Sequence, residues 1–338
     1  MTVLTAAPPL PTSRGPLSEA LLDVLRGPRA AAGLAPDPDA DPWGEDLQLA
    51  LYLCYELHYR SFEGVDDDLE WDPDLLRFRA GLERPFLDAL RGAVDGGDDV
   101  DAALAALLVV PTAGTGPSWH LAERGDRGQL REYVAHRSLY HLKEADPQAW
   151  VIPRLDGQAK ASFVTVEHDE YGAGRAERLH ARIFAGMMAD LDLDPGYGRY
   201  LDVTPAVTLA MVNAMSLFGL HRSLRGALVG QFASVEITSS PGSARLARAV
   251  ERLNDGRGTE FYVEHIEADA VHEQLVRGGV VAGLLDGSPE LAADVVFGVQ
   301  VDALLEDRFG DHLLAAWGAG QSSLLAPLPE PVPLAGPA

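Results

Sequence analysis

The residues with the clearest chemical potential lie in the run FYVEHIEADAVHEQ, 261–274. On a helix turning about 100° per residue, His265, Asp269 and His272 fall within roughly 60° of arc. They occupy i, i+4 and i+7, so two imidazoles and a carboxylate line one stripe over two turns. Nitrogen and oxygen donors of this kind suit iron, manganese or zinc, and carboxylate-rich helical bundles typically hold paired iron. The competing reading is a solvated face, helped by Glu264, Glu267 and Glu273, but those three point in other directions.

A second run, EYGAGRAERLH, spans 170–180. His180 shares a helical stripe with Ile183, Phe184, Met187 and Leu191 and so faces the core, as a ligand or as a satisfied core histidine. Glu170 lies ten residues earlier, about 15 Å along a continuous helix and too far to share a metal pair comfortably. Gly172 and Gly174 can break that helix and bring Glu170 back. Without the break, Glu177 forms a Glu-x-x-His pair with His180, as in ferritin-like sites, and is the second choice. A third carboxylate, Glu236, sits on a stripe with Leu228 and Phe232. Burying it unpaired costs on the order of several kcal/mol, so it wants a cation or a metal. Arg225 on the same stripe is the alternative partner.

Taken together, Glu170, His180, Glu236, His265, Asp269 and His272 resemble the ligand pattern of the haem-oxygenase-like diiron oxidases and oxygenases, a family of iron-containing redox enzymes. That pattern is a Glu and a His on one core helix, a Glu on another, and His-x3-Asp-x2-His on a third. The resemblance covers roughly residues 128–280. It implies a haem-oxygenase-like bundle unrelated in sequence to ferritins, and two Fe(II) ions held by the six residues. It also implies O2 as co-substrate and a cofactor that can assemble only with substrate. Outcomes in the family include amine N-oxygenation, oxidative carbon–carbon cleavage and decarboxylation to alkenes. The N-oxygenating branch has an extra upstream carboxylate, a position matched by Glu144 in HLKEADPQAW unless that residue merely ends a helix before Asp146-Pro147.

The elements that must position these residues read as helix after helix. Helical patterns cover 44–62, 72–94, 98–109, 127–145, 155–170, 174–192, 204–221, 223–239, 242–255, 259–277 and 288–308, separated by Pro, Gly and Asp clusters. Strand signals are almost absent. The expected fold is all-α, with additional N-terminal helices. Residues 1–42 read as a mobile segment with a short helix and an Asp/Pro linker, 43–325 as the helical domain with its metal-binding core at about 128–285, and 326–338 as a disordered Pro-rich tail.

Composition narrows the partners. Lys+Arg 27 against Asp+Glu 51 gives a net charge of −24, which repels nucleic acid and anionic membrane. The apolar run Thr204–Leu220 carries Thr208, Asn213 and Ser216 and falls short of a membrane span. No basic region followed by an apolar one opens the chain, so a cytoplasmic protein is expected. The single cysteine, Cys54, excludes thiolate-rich sites and reads as a buried, inert thiol. Glu56 and His58 lie on different helical faces, and His136 and His141 flank a helix. Arg154 and Lys160 are candidates for a substrate carboxylate or for capping.

The function expected is a dioxygen-activating enzyme for a small molecule that is amine, amino-acid or fatty-acid-like. An external electron donor and a homodimer are compatible with it. Mono-iron chemistry on the same scaffold, a non-catalytic helical metal- or ligand-binding protein, and a haem protein using His180 or His221 stay open.

Overall fold

Apolar periodicity and caps place the helices of the computed structural model, which describes residues 7–27 and 29–329, the side chains of Glu267, Asp269 and Ala270 excepted. The helices are α1 (Pro16–Leu25), α2 (Glu45–Glu56), α3 (Pro73–Gly92), α4 (Val100–Leu107), α5 (Pro117–Glu123), α6 (Arg127–His141) and a short α7 (Asp146–Ala149). Then follow α8 (Gly157–Glu170), α9 (His180–Asp190), α10 (Ala206–Leu220), α11 (Arg225–Asn254), α12 (Glu260–Leu275), a π-helical turn (Val276–Val281), α13 (Ala282–Gly287) and α14 (Ala292–Gly318). No strand occurs among the described residues, and the chain is all-α as expected.

Local chemistry explains several starts. Asp72 accepts from the amides of Asp74 and Leu75, with Pro73 preset at the first turn of α3. Asp126 and Gln129 form a reciprocal capping box that opens α6. Helix α10 is buried almost throughout and forms the centre of the core. Its Asn213 amide nitrogen donates to the backbone oxygen and side-chain oxygen of Gln48 on α2, both at 2.8 Å, which ties the two helices together inside the protein. Among the described residues no helix is long and apolar enough to cross a membrane.

Two expected helices, 223–239 and 242–255, are one: α11 runs through Pro241. Its first half is clamped against α14 by glycines. A Cβ on Gly230 would lie 2.0 Å from the Val295 carbonyl oxygen, and one on Gly298 2.0 Å from that of Ala227. With α12 packed on it as well, the helix keeps its course despite the amide that proline lacks. Helix α14 runs on to Gly318, ten residues past its expected end at 308. Helix α5 was not expected, although Pro117 after Gly116 is an N-terminal signal.

The described part of the N-terminal segment is docked. Leu21 and Leu22 of α1 are fully buried, and Asp46 on α2 accepts from the amides of Leu17 and Ser18, each at 2.8 Å. At the other end Ser323 is held by Glu132 and His136. Of the expected Pro-rich tail, 326–338, the part from 330 on lies outside the described residues, and Leu328 before it packs against the core.

Candidate metal centre

The chain leaves α8 at Glu170 through tight turns at Gly172–Gly174 and Ala176–Arg178, and α9 begins at His180 itself. Gly172 makes the reversal feasible. Its φ is +71°, and a Cβ there would stand 2.6 Å from the Arg178 carbonyl carbon, so only glycine fits. The fold-back sets His180 Nδ1 2.6 Å from Glu170 Oε2. Both atoms lie buried without a hydrogen bond of acceptable alignment. Glu177, the carboxylate favoured by a continuous helix, is exposed and apart from the cluster.

Two groups of donors emerge among the described residues. Glu144, Glu170, His180 and His265 present one atom each within 4.8 Å of one another, and so do Glu170, Glu236 and His272. Glu170 is common to both. All six residues are between 0% and 8% exposed. His265 gives Nδ1 to the Phe261 carbonyl at 2.7 Å, which turns Nε2 toward Glu144 Oε1, 3.8 Å away. His272 Nδ1 stands 3.0 Å from Glu236 Oε2 and 3.7 Å from Glu170 Oε1, with Nε2 3.3 Å from Asp169 Oδ2. Asp269 lies on α12 between these two histidines, and its side chain is outside the description.

Charge sets the protonation here. Burial works against the Glu144 carboxylate, yet His141, 3.1 Å away, and then His265 hold it well below the usual carboxylate range. Burial would lower His272, but Glu236 and then Glu170 and Asp169 push it up to about 9. The buried carboxylates thus favour the protonated forms of His180 and His272. Divalent cations would replace those protons, and the hard oxygen and imidazole donors suit iron.

Other residues near the centre were not singled out from the sequence. Glu167 is 2% exposed with neither carboxylate oxygen hydrogen-bonded, and burial, then Glu170 and Glu236, raise its pKa well above the ordinary value. Asp169 joins through His272 alone. Only the pairing of α8 with its neighbours gives these two away.

The remaining candidates have separate duties. Arg225 does not neutralise Glu236: its guanidinium donates to the Arg222 carbonyl at 3.3 Å. Glu56 pairs with Lys143, His58 with Glu70 and Arg79, and His221 with Glu83. His136 is tied to Thr208 and Ser323. Arg154 caps α10 through the carbonyls of Gly219 and Leu220. Cys54 is buried, and burial pushes its thiol up to about 12.

A cavity of about 330 Å³ reaches the centre. Glu144, Glu170, Glu236 and His265 line one part of it, and Tyr133, Arg137, Arg245, Asp302 and Glu306 another.

The sequence model of a family described as iron-containing redox enzyme matches residues 131–307, a span that holds every candidate ligand. A nitrosourea synthase from Streptomyces achromogenes subsp. streptozoticus is 23% identical over 161 residues, 47% of this chain and 34% of the relative. The match therefore spans about a third of that relative's length.

Proposed function

Since the chain belongs to the iron-containing redox enzyme family, we propose that it is a non-haem diiron oxidase or oxygenase that turns dioxygen on a small molecule. The observation that carries this reading is the pair of buried donor groups sharing Glu170. Glu144, Glu170, His180 and His265 would hold one ion and Glu170, Glu236 and His272 the other, with Asp269 as the further ligand implied by the His-x3-Asp-x2-His run. When bound, ferrous ions would supply the electrons and open coordination positions that dioxygen requires.

The surrounding residues prepare that site. The Phe261 carbonyl fixes the tautomer and tilt of His265, and Asp169 does the same for His272. Phe184 and Phe261 pack edge to face, 4.9 Å between centroids, and both rings lie against His141. The cavity leads a small molecule to the Glu144 side. A carboxylate at Glu144 supports the N-oxygenating branch of the family, and the relative, a nitrosourea synthase, agrees with nitrogen chemistry.

Replacing His272 by Ala tests the reading. Loss of one ligand should lower ferrous iron content and abolish dioxygen consumption while far-UV circular dichroism stays helical. Unchanged iron stoichiometry in that variant would make His272 a core histidine.

A further inference from the structure

The cavity that reaches the candidate metal centre has a second end with a different chemistry. Arg137 is neutralised there by a two-pronged pair with Glu306, 2.7 and 2.6 Å. Arg245 is not. Its Nε donates to Ser118 Oγ at 2.9 Å and its guanidinium lies over the Trp119 ring, 4.6 Å from the centroid. No carboxylate among the described residues pairs with it. Burial, and then the like charge of Arg248, lower its pKa. A chain with 51 acidic and 27 basic side chains has carboxylates to spare for such a cation. This one is instead stacked on Trp119 and held by Ser118, and it lines the cavity with N–H donors beyond the one that Ser118 takes.

Glu236 and Arg245 stand on the same helix, nine residues apart, which is about 13 Å of rise. A molecule that touches both regions must place its anionic group several bonds from the group presented to the metal centre.

We propose that Arg245 is the anion-reading residue of the substrate cavity, and that the substrate is an organic carboxylate bound with its carboxylate at Arg245. Its oxidisable end then lies toward Glu144, Glu170, Glu236 and His265. This rests on the diiron reading above for what happens at the far end, but not for the carboxylate site itself. A simple amine lacks the group Arg245 reads.

The test is calorimetric titration of the full-length, metal-free chain with 6-aminohexanoate, hexanoate and the neutral hexanamide. Both carboxylates should bind at least tenfold more tightly than hexanamide. Arg245→Gln should erase that preference, Arg245→Lys should keep part of it, and Arg248→Gln should change it little. Equal binding of acid and amide, no binding of any probe by the parent protein, or an undiminished preference in Arg245→Gln would each overturn the proposal. Ferrous uptake measured in parallel separates the two readings. Carboxylate preference without iron uptake leaves the anion site standing and removes the diiron function, and iron uptake without preference does the reverse.

Discussion

At the scale of single residues, buried carboxylates set the terms. Glu144, Glu170 and Glu236 meet three imidazoles in an interior where an unpaired charge costs on the order of 3–5 kcal/mol, several times what a cap or one core methyl group contributes. Among the residues that meet there, helical spacing pointed to His265 and His272, an apolar stripe to Glu236, and the glycines to Glu170 with His180, while Glu144 entered through the resemblance alone. Glu167 and Asp169 were not legible, because nothing in the local pattern of α8 says which of its faces meets α12. A separate carboxyl, Asp302 in the cavity wall, gives a measurable consequence. Burial first, and then Glu306, push it up to about 7 from an ordinary 3.8. A raised carboxyl contributes its full stability below the unfolded value and loses it as pH rises through the folded one. The loss should therefore build between pH 4 and pH 7. Asp302→Asn keeps the oxygen that accepts from Gln231 and removes the titration. Its free energy of unfolding relative to the parent, read by urea titration, should rise from pH 4 to pH 8 by on the order of 1–4 kcal/mol. A pH-independent difference would show that Asp302 ionises normally.

At the scale of elements, the break between α8 and α9 decides which carboxylate meets His180. Two glycines in three residues argue against a continuous helix, at roughly 1 kcal/mol each relative to alanine, and the turn at Gly172 is where the chain reverses. That much could be read from composition. The continuity of α11 across Pro241 could not, since it depends on the close approach of α14 at Gly230 and Gly298. Helix α2 reaches the centre indirectly. Glu56 and Lys143, 0% and 1% exposed in their side chains, pair at 2.6 Å, and the Lys143 ammonium lies between the Tyr52 and Tyr59 rings. The pair ties α2 to the residue just before Glu144. Glu56→Ala should destabilise the protein by about 3–5 kcal/mol because it strands the buried ammonium. The double change Glu56→Leu with Lys143→Met should recover much of that in urea unfolding. Equal losses in both would mean that packing, not charge, is what the pair supplies.

At the scale of the whole molecule, the family match begins at residue 131, yet the helices before it are not an appendage. Asn213 of the central α10 donates to Gln48, and Glu83 of α3 holds His221 at the end of α10. The all-α architecture followed from the absence of strand patterns and the recurrence of caps; how the N-terminal helices dock did not, because it depends on contacts between residues more than a hundred positions apart. The large acidic excess leaves a cavity whose cations are few, which is why Arg245 stands out there. The central claim is that Glu170 joins two iron sites in one interior. Anaerobic titration of the full chain with ferrous iron, read as bound iron per chain, tests it most directly. Two ions should bind to the parent and to Glu177→Ala, and one or none to Glu170→Ala. Iron uptake by Glu170→Ala equal to the parent, or no uptake by the parent, would contradict it.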